Sequence, residues 1–74
     1  MPKLPRISAV QAVKALGKVG YVFNRQKGSH IILVNEEKHK IAVIPNRKEI
    51  PRGTVRAIIS EAGLTVEEFG RLLR

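Results

Sequence analysis

The residues best equipped for chemistry lie in one short run, Arg25-Gln26-Lys27-Gly28-Ser29-His30. Imidazole is the side chain that ordinarily titrates near neutral pH, so His30 can take or give a proton. Arg25, Lys27 and the Ser29 hydroxyl precede it, and cations and hydroxyls are the groups that hold phosphate. A second basic cluster follows at Arg47, Lys48, Arg52 and Arg56. Arg52 and Arg56 are four apart and share a helix face close to its start, where free backbone amides also favour anions. The chemistry these residues suit is proton transfer beside a bound phosphate. The competing reading is a surface imidazole that covers part of a sheet, next to an exposed basic helix face. Spacing alone leaves both open.

Other constellations fail. Ser8, Ser29 and Ser60 have no His and Asp partners at a recognisable spacing. Gly28 and Gly53 do not form a phosphate loop of the Walker type. Glu36 and Glu37 sit in a turn, and Glu67 and Glu68 support a helix start. His39 lies in the polar run Glu37-Lys38-His39-Lys40 and reads as solvated. There is no cysteine, which excludes a disulfide scaffold, a thiol nucleophile and the usual structural zinc sites. No cofactor or metal is expected.

The elements that must position His30 are few, because the chain has 74 residues. That length allows one core and one domain, residues 1–74, with no room for a large substrate cavity or a dinucleotide. Hydrophobic residues make up 43%, which suits a folded domain rather than a disordered basic tail. No apolar run approaches a membrane span, and the basic stretch Met1 to Arg6 is not followed by a signal-like apolar region, so a cytoplasmic protein is expected. Net charge is +8. It is unevenly spread: residues 1–34 carry six basic side chains and no acid, whereas residues 61–74 carry two basic and three acidic. Such a field points to a polyanion, most simply nucleic acid.

Ser8-Ala9-Val10-Gln11 reads as a capping box that opens an amphipathic helix over about 9–18. Val10, Val13, Leu16 and Val19 form its apolar stripe, with Ala9 and Ala12 beside them. Pro2 and Pro5 mark an irregular start before it. Three strands follow, over 21–26, 29–34 and 40–44. Lys27-Gly28 marks a tight turn between the first two, and the short connections favour an antiparallel meander. In the second strand Ile31 and Leu33 point one way, while His30, Ile32 and Val34 point the other. If Ile31 and Leu33 pack under helices, His30 stands on the open face. A one-residue slip would exchange the faces. Tyr21 and Phe23 are expected in the core. A second helix spans about 52–62, capped by Gly63, and Thr65-Val66-Glu67-Glu68 is a second capping box that opens a short third helix. The expected fold is α+β, in the order α-β-β-β-α-α, with a three-stranded antiparallel sheet and its helices on one face.

Read together, these segments resemble a known family. Gly28-Ser29-His30 before a strand, Ile41-Ala42-Val43-Ile44-Pro45, Ile50-Pro51-Arg52-Gly53-Thr54-Val55-Arg56, and Glu61-Ala62-Gly63-Leu64 with Glu67-Glu68-Phe69 are similar to the HicA toxins. The likeness runs from the first helix to Phe69. It implies a domain similar to the double-stranded-RNA-binding fold and a ribonuclease that cleaves messenger RNA. It also implies a partner antitoxin, HicB, with DNA reached only through the complex. In that family activity depends on the histidine of the glycine-serine-histidine motif, here His30. Many members carry a second histidine directly after it. Ile31 stands there in this chain, which leaves His30 alone.

RNA brings its own nucleophile, the ribose 2′-hydroxyl. The protein then needs one proton-transfer group, His30, and cations for the phosphate charge, with Arg25 and Lys27 nearest. A metal-independent endoribonuclease is therefore the expectation. The alternative is a non-catalytic module that binds double-stranded RNA. The outward Ile32 and Val34 could serve an antitoxin contact or a homodimer.

Overall fold

In the computed structural model, which describes residues 4 and 6–74, the elements run α1 (Ala9–Gly17), β1 (Val22–Lys27), β2 (His30–Asn35), β3 (Lys40–Pro45), α2 (Arg52–Glu61) and α3 (Val66–Leu72). Pro2 and Pro5 lie outside the described residues. The strands form one antiparallel sheet in the order β1-β2-β3, and the fold is α+β. No helix is long and apolar enough to cross a membrane among the described residues.

Both capping boxes form. The Ser8 hydroxyl accepts from the Gln11 N–H at 3.2 Å, and the Ser8 N–H donates to Gln11 Oε1 at 2.9 Å. Thr65 and Glu68 repeat the pattern at the start of α3, at 3.1 and 2.9 Å. The two boxes differ in one respect: Glu68 is ionisable. Its hydrogen bonds with the Thr65 backbone and hydroxyl hold its carboxyl below the usual glutamate range. The stabilisation it gives α3 is thus present at neutral pH and is lost as pH falls through the lowered folded-state value. Acidification should fray α3 while α1 holds. Glu68→Gln, which copies the α1 box, should remove that pH dependence, measured by amide exchange at Thr65 and Glu68. Unchanged acid fraying in Glu68→Gln would exclude the box as its cause.

The sheet buries one face. Leu33 on β2 and Ala42 and Ile44 on β3 are buried, as are Val55, Ile58 and Ile59 of α2 and Phe69 of α3. Alternation puts Ile31 with Leu33 on this side, and His30, Ile32 and Val34 on the other. Ile31 and Leu33 do pack under the helices. The buried residues of α1 are Ala9, Ala12, Ala15 and Leu16; of the expected stripe Leu16 is buried, Val13 and Val19 are half-buried against the core, and Val10 is 61% exposed. The three-residue period is as expected, but the helix is turned by one residue. Small alanines allow it to approach the sheet closely, and the Ala9 N–H is tied to the Arg47 carbonyl at 2.9 Å. Nearby, Ile50 N–H donates to the Ile7 carbonyl at 2.8 Å, which pins the 46–51 loop to the start of α1.

At the other end, Asn35 is, among the described residues, the one polar or charged residue buried with the apolar core, at 2% exposure. Its amide donates to the Val19 carbonyl, and its Oδ1 accepts from the Lys38 N–H. It joins the end of α1 to the β2–β3 hairpin and so satisfies its own buried amide. Tyr21 is buried as expected, but its hydroxyl has no hydrogen-bond partner among the described residues, and burial pushes its ionisation above the ordinary tyrosine value. Phe23 is not core. It is 61% exposed, because α1 and α2 both pack over β3 and leave every residue of the edge strand β1 exposed.

Candidate active site

The turn before His30 is set by glycine. Gly28 has φ +60, a conformation that L side chains rarely adopt, while Ser29 keeps a negative φ. A two-residue loop with a left-handed first residue is the hairpin turn whose twist matches the strands it joins. It makes His30 the first residue of β2, directly opposite Lys27 on one side and Pro45 on the other. Facing residues in such a pair have Cβ atoms about 5 Å apart. The Gln26 amide donates to the Gly28 carbonyl at 3.1 Å and braces the turn. His30 itself is exposed.

A β-bulge decides what surrounds it. The pairing of β1 with β2 runs Phe23 with Leu33 and then Arg25 with Ile32, so Asn24 is the extra residue. In a regular strand Phe23, Arg25 and Lys27 would share a face. The bulge reverses the phase after Phe23. Phe23 and Gln26 face the helix side, and Arg25 and Lys27 turn to the open side with His30. Asn24 Oδ1 accepts from Arg25 Nη1 at 3.0 Å and steadies the guanidinium. The open face therefore carries three rows: Val22-Val34-Ile41, Arg25-Ile32-Val43, and Lys27-His30-Pro45.

The second basic cluster is brought to the same end. The Asn46 N–H donates to the Ser29 carbonyl at 2.7 Å, extending the ladder past Pro45, so Arg47 and Lys48 leave β3 beside the hairpin turn. The chain then enters α2 at Arg52. Pro51 caps that helix without any side-chain hydrogen bond, unlike Ser8 and Thr65 at the other two helices. Arg52 is at this end, and Arg56 lies one turn further along α2. Arg47, Lys48, Arg52 and Arg56 are all exposed. Ser29 is exposed in the turn, and its described contact is through its backbone carbonyl.

Acids gather at the opposite end. Glu36 and Glu37 lie in the β2–β3 hairpin, Glu61 ends α2, and Glu67 and Glu68 occupy the first turn of α3. His39 belongs to that hairpin and is exposed, with φ +54. Glu49 is the acid at the His30 end, and it faces Arg6 at 3.8 Å across two exposed side chains. Such a surface pair contributes about 0–1 kcal/mol, but it lowers the negative charge presented there. Among the described residues, no three His, Cys, Asp or Glu side chains group into a metal-binding cluster.

One feature has no counterpart in the sequence reading. Because β1 is uncovered, an apolar groove of about 340 Å³ opens between it and α1, lined by Val10, Val13, Lys14, Phe23, Gln26 and Ile31. Val10 was the available signal, since Val10 and Phe23 are the apolar residues left over once the helix turns its alanines inward.

No curated protein matches the chain at a significant level. The family described as “HicA toxin of bacterial toxin-antitoxin” matches residues 10–64, which takes in α1, the whole sheet, α2 and the glycine turn after it. With that match covering most of its length, and with the fold in the expected order, the chain belongs to the HicA family of toxins.

Proposed function

We propose that this toxin is a metal-independent endoribonuclease that cleaves messenger RNA in the cytoplasm, as a single domain over residues 1–74, and that a HicB-type antitoxin neutralises it. The observation that carries the reading is the shared face of His30, Lys27 and Arg25, which exists because of the bulge at Asn24. In this mechanism His30 takes the proton of a ribose 2′-hydroxyl as that oxygen attacks the adjacent phosphorus. The bond to the 5′-oxygen of the next nucleotide breaks, and the same proton passes to that oxygen. The products are a cyclic phosphate and a free 5′-hydroxyl. Lys27 and Arg25 stabilise the charge on the pentacoordinate phosphorus. Ser29, Arg47, Lys48, Arg52 and Arg56 hold phosphates on either side of the cut. DNA is reached only through the antitoxin complex.

The segregation of charge also supports a second reading, a non-catalytic module that binds double-stranded RNA with its basic end. One assay separates the two. Purified toxin with single-stranded RNA in EDTA should yield discrete fragments, at a rate that falls as salt rises because phosphate contacts are screened. A mobility shift with intact RNA would favour the binding module and overturn the nuclease.

A further inference from the structure

The chain has one tyrosine, two phenylalanines and no tryptophan. Tyr21 and Phe69 are buried, whereas Phe23 is 61% exposed. Phe23 lines the groove of about 340 Å³ between α1 and β1, with Val10, Val13 and Ile31 as its aliphatic neighbours. The other lining residues are Lys14 on α1 and Gln26 on β1, both exposed. That volume is at the small end of the range for small-molecule sites, roughly 300–1,000 Å³, and gives room for one planar ring system.

The groove lies one rung from the proposed reaction centre. Gln26 pairs with Ile31, and the next pair is Lys27 with His30. Successive residues of a strand are about 3.4 Å apart and point to opposite faces. The groove is therefore on the helix side of the sheet and His30 on the open side, joined around the Gly28-Ser29 turn. That turn is slim: a side chain at Gly28 would meet nothing within 4 Å, and Ser29 is exposed. Both walls of the groove come from residues 1–34, which contain no acid.

A nucleotide matches these groups in one unit. Unpaired bases are held by stacking on aromatic side chains, and every base has a π-face to offer. The phosphate beside the base suits the Lys14 ammonium. An apolar protein segment would fill the aliphatic walls but leave Lys14 without a counter-charge, in a region with no acid of its own. A base inside a duplex is already stacked on both faces, so the fit is to a single strand. We infer that the groove between α1 and β1 is a subsite for one unpaired base of the RNA, stacked on Phe23, with an adjoining phosphate on Lys14. Because groove and His30 lie on opposite faces, this base belongs to a nucleotide beside the cut, and the strand bends around the turn to reach His30. The inference rests on the RNA-binding part of the proposed function, and the base contact itself does not depend on cleavage.

The test uses the full chain and a fluorescein-labelled single-stranded 2′-O-methyl RNA, which lacks the attacking hydroxyl and stays intact. A blunt duplex of the same sequence is the comparison, and affinity is read by fluorescence anisotropy in EDTA. Phe23→Ala should weaken single-strand binding by about 10-fold, the scale of losing one base–aromatic stack, and leave duplex binding unchanged. Phe23→Tyr should keep the parent affinity. Phe23→Leu, apolar but without a ring, should bind as weakly as alanine. Lys14→Ala should reduce the salt dependence of single-strand binding by about one phosphate contact. Unchanged single-strand affinity in Phe23→Ala, parent affinity in Phe23→Leu, or an equal loss on the duplex would each overturn the subsite. So would a loss of antitoxin binding in Phe23→Ala with RNA affinity intact, which would give the groove to a protein. Cleavage of ordinary RNA is measured separately. A parent that does not cut RNA yet binds it through Phe23 would overturn the nuclease reading and support the subsite. A parent that cuts RNA while the ring is dispensable for binding would overturn the subsite alone.

Discussion

Replacing His30 with alanine should slow RNA cleavage by about 10²–10⁴-fold, the contribution of a positioned acid or base, and should leave the fold in place. His30 is exposed, and its backbone place in the ladder opposite Lys27 is one that alanine can take. Exposed substitutions of this kind change stability by about 0.5 kcal/mol or less. The loss is therefore kinetic, and thermal melts of parent and variant should superimpose. His30→Gln extends the result: it retains hydrogen bonding but cannot shuttle a proton near neutral pH, so it should be as slow as alanine. His39→Asn serves as the contrast. His39 sits in the distal hairpin at φ +54, a conformation asparagine tolerates, and its replacement should leave the rate unchanged. The measurement is the initial rate on single-stranded RNA in EDTA. Parent-like cleavage by His30→Ala would remove the imidazole from the mechanism.

The largest effect on stability is expected at Phe69. It is fully buried and is the largest such side chain. Phe69→Ala removes a ring from the junction of α3 with the core, a change that costs about 3–5 kcal/mol. A domain of this size has about 4–11 kcal/mol in total. Urea titration should find the variant mostly or largely unfolded at low denaturant. Phe23→Ala should cost less than about 1 kcal/mol, because that ring is 61% exposed and loses little buried area. The pair is informative because the two phenylalanines look alike in sequence, each in an amphipathic segment. Equal destabilisation by the two substitutions would mean that β1 is covered on its helix side.

Phe23 shows where sequence reasoning stops. Its aromatic, β-branched surroundings mark a strand, and they do so correctly. Whether a strand is covered depends on where the helices land, and both α1 and α2 pack over β3. The stripe of α1 is displaced for a related reason: Leu16 is buried and Val13 and Val19 pack against the core, but Val10 stands exposed. Valines at 10 and 13 and alanines at 9, 12 and 15 repeat at the same interval, so periodicity marks the helix without choosing between adjacent faces. The alanine side is the one buried, and the Ala9 N–H is bonded to the Arg47 carbonyl, a contact from across the chain that periodicity does not encode. By residue type, Asn35 suits the polar loop that follows the second strand. Its burial follows from two backbone partners, Val19 and Lys38, that only the folded chain brings to it.

The chain by itself determined the local pieces: two capping boxes, three strands, the glycine turn before His30, and the alternation that sends Ile31 and Leu33 inward and His30 outward. These rest on interactions within a few residues, or on a period of two that any one-sided sheet must obey. The tertiary structure decided which cations join His30. By alternation alone, Arg25 and Lys27 share a face with Phe23, on the helix side. The bulge at Asn24 puts them on the other. A bulge is a property of the pairing between two strands, since the extra residue is extra only relative to its partner. The same holds for the basic cluster from Arg47 to Arg56, which reaches this end because the 46–51 loop is tied to α1 and to Ser29 by backbone bonds that carry no signature in side-chain sequence.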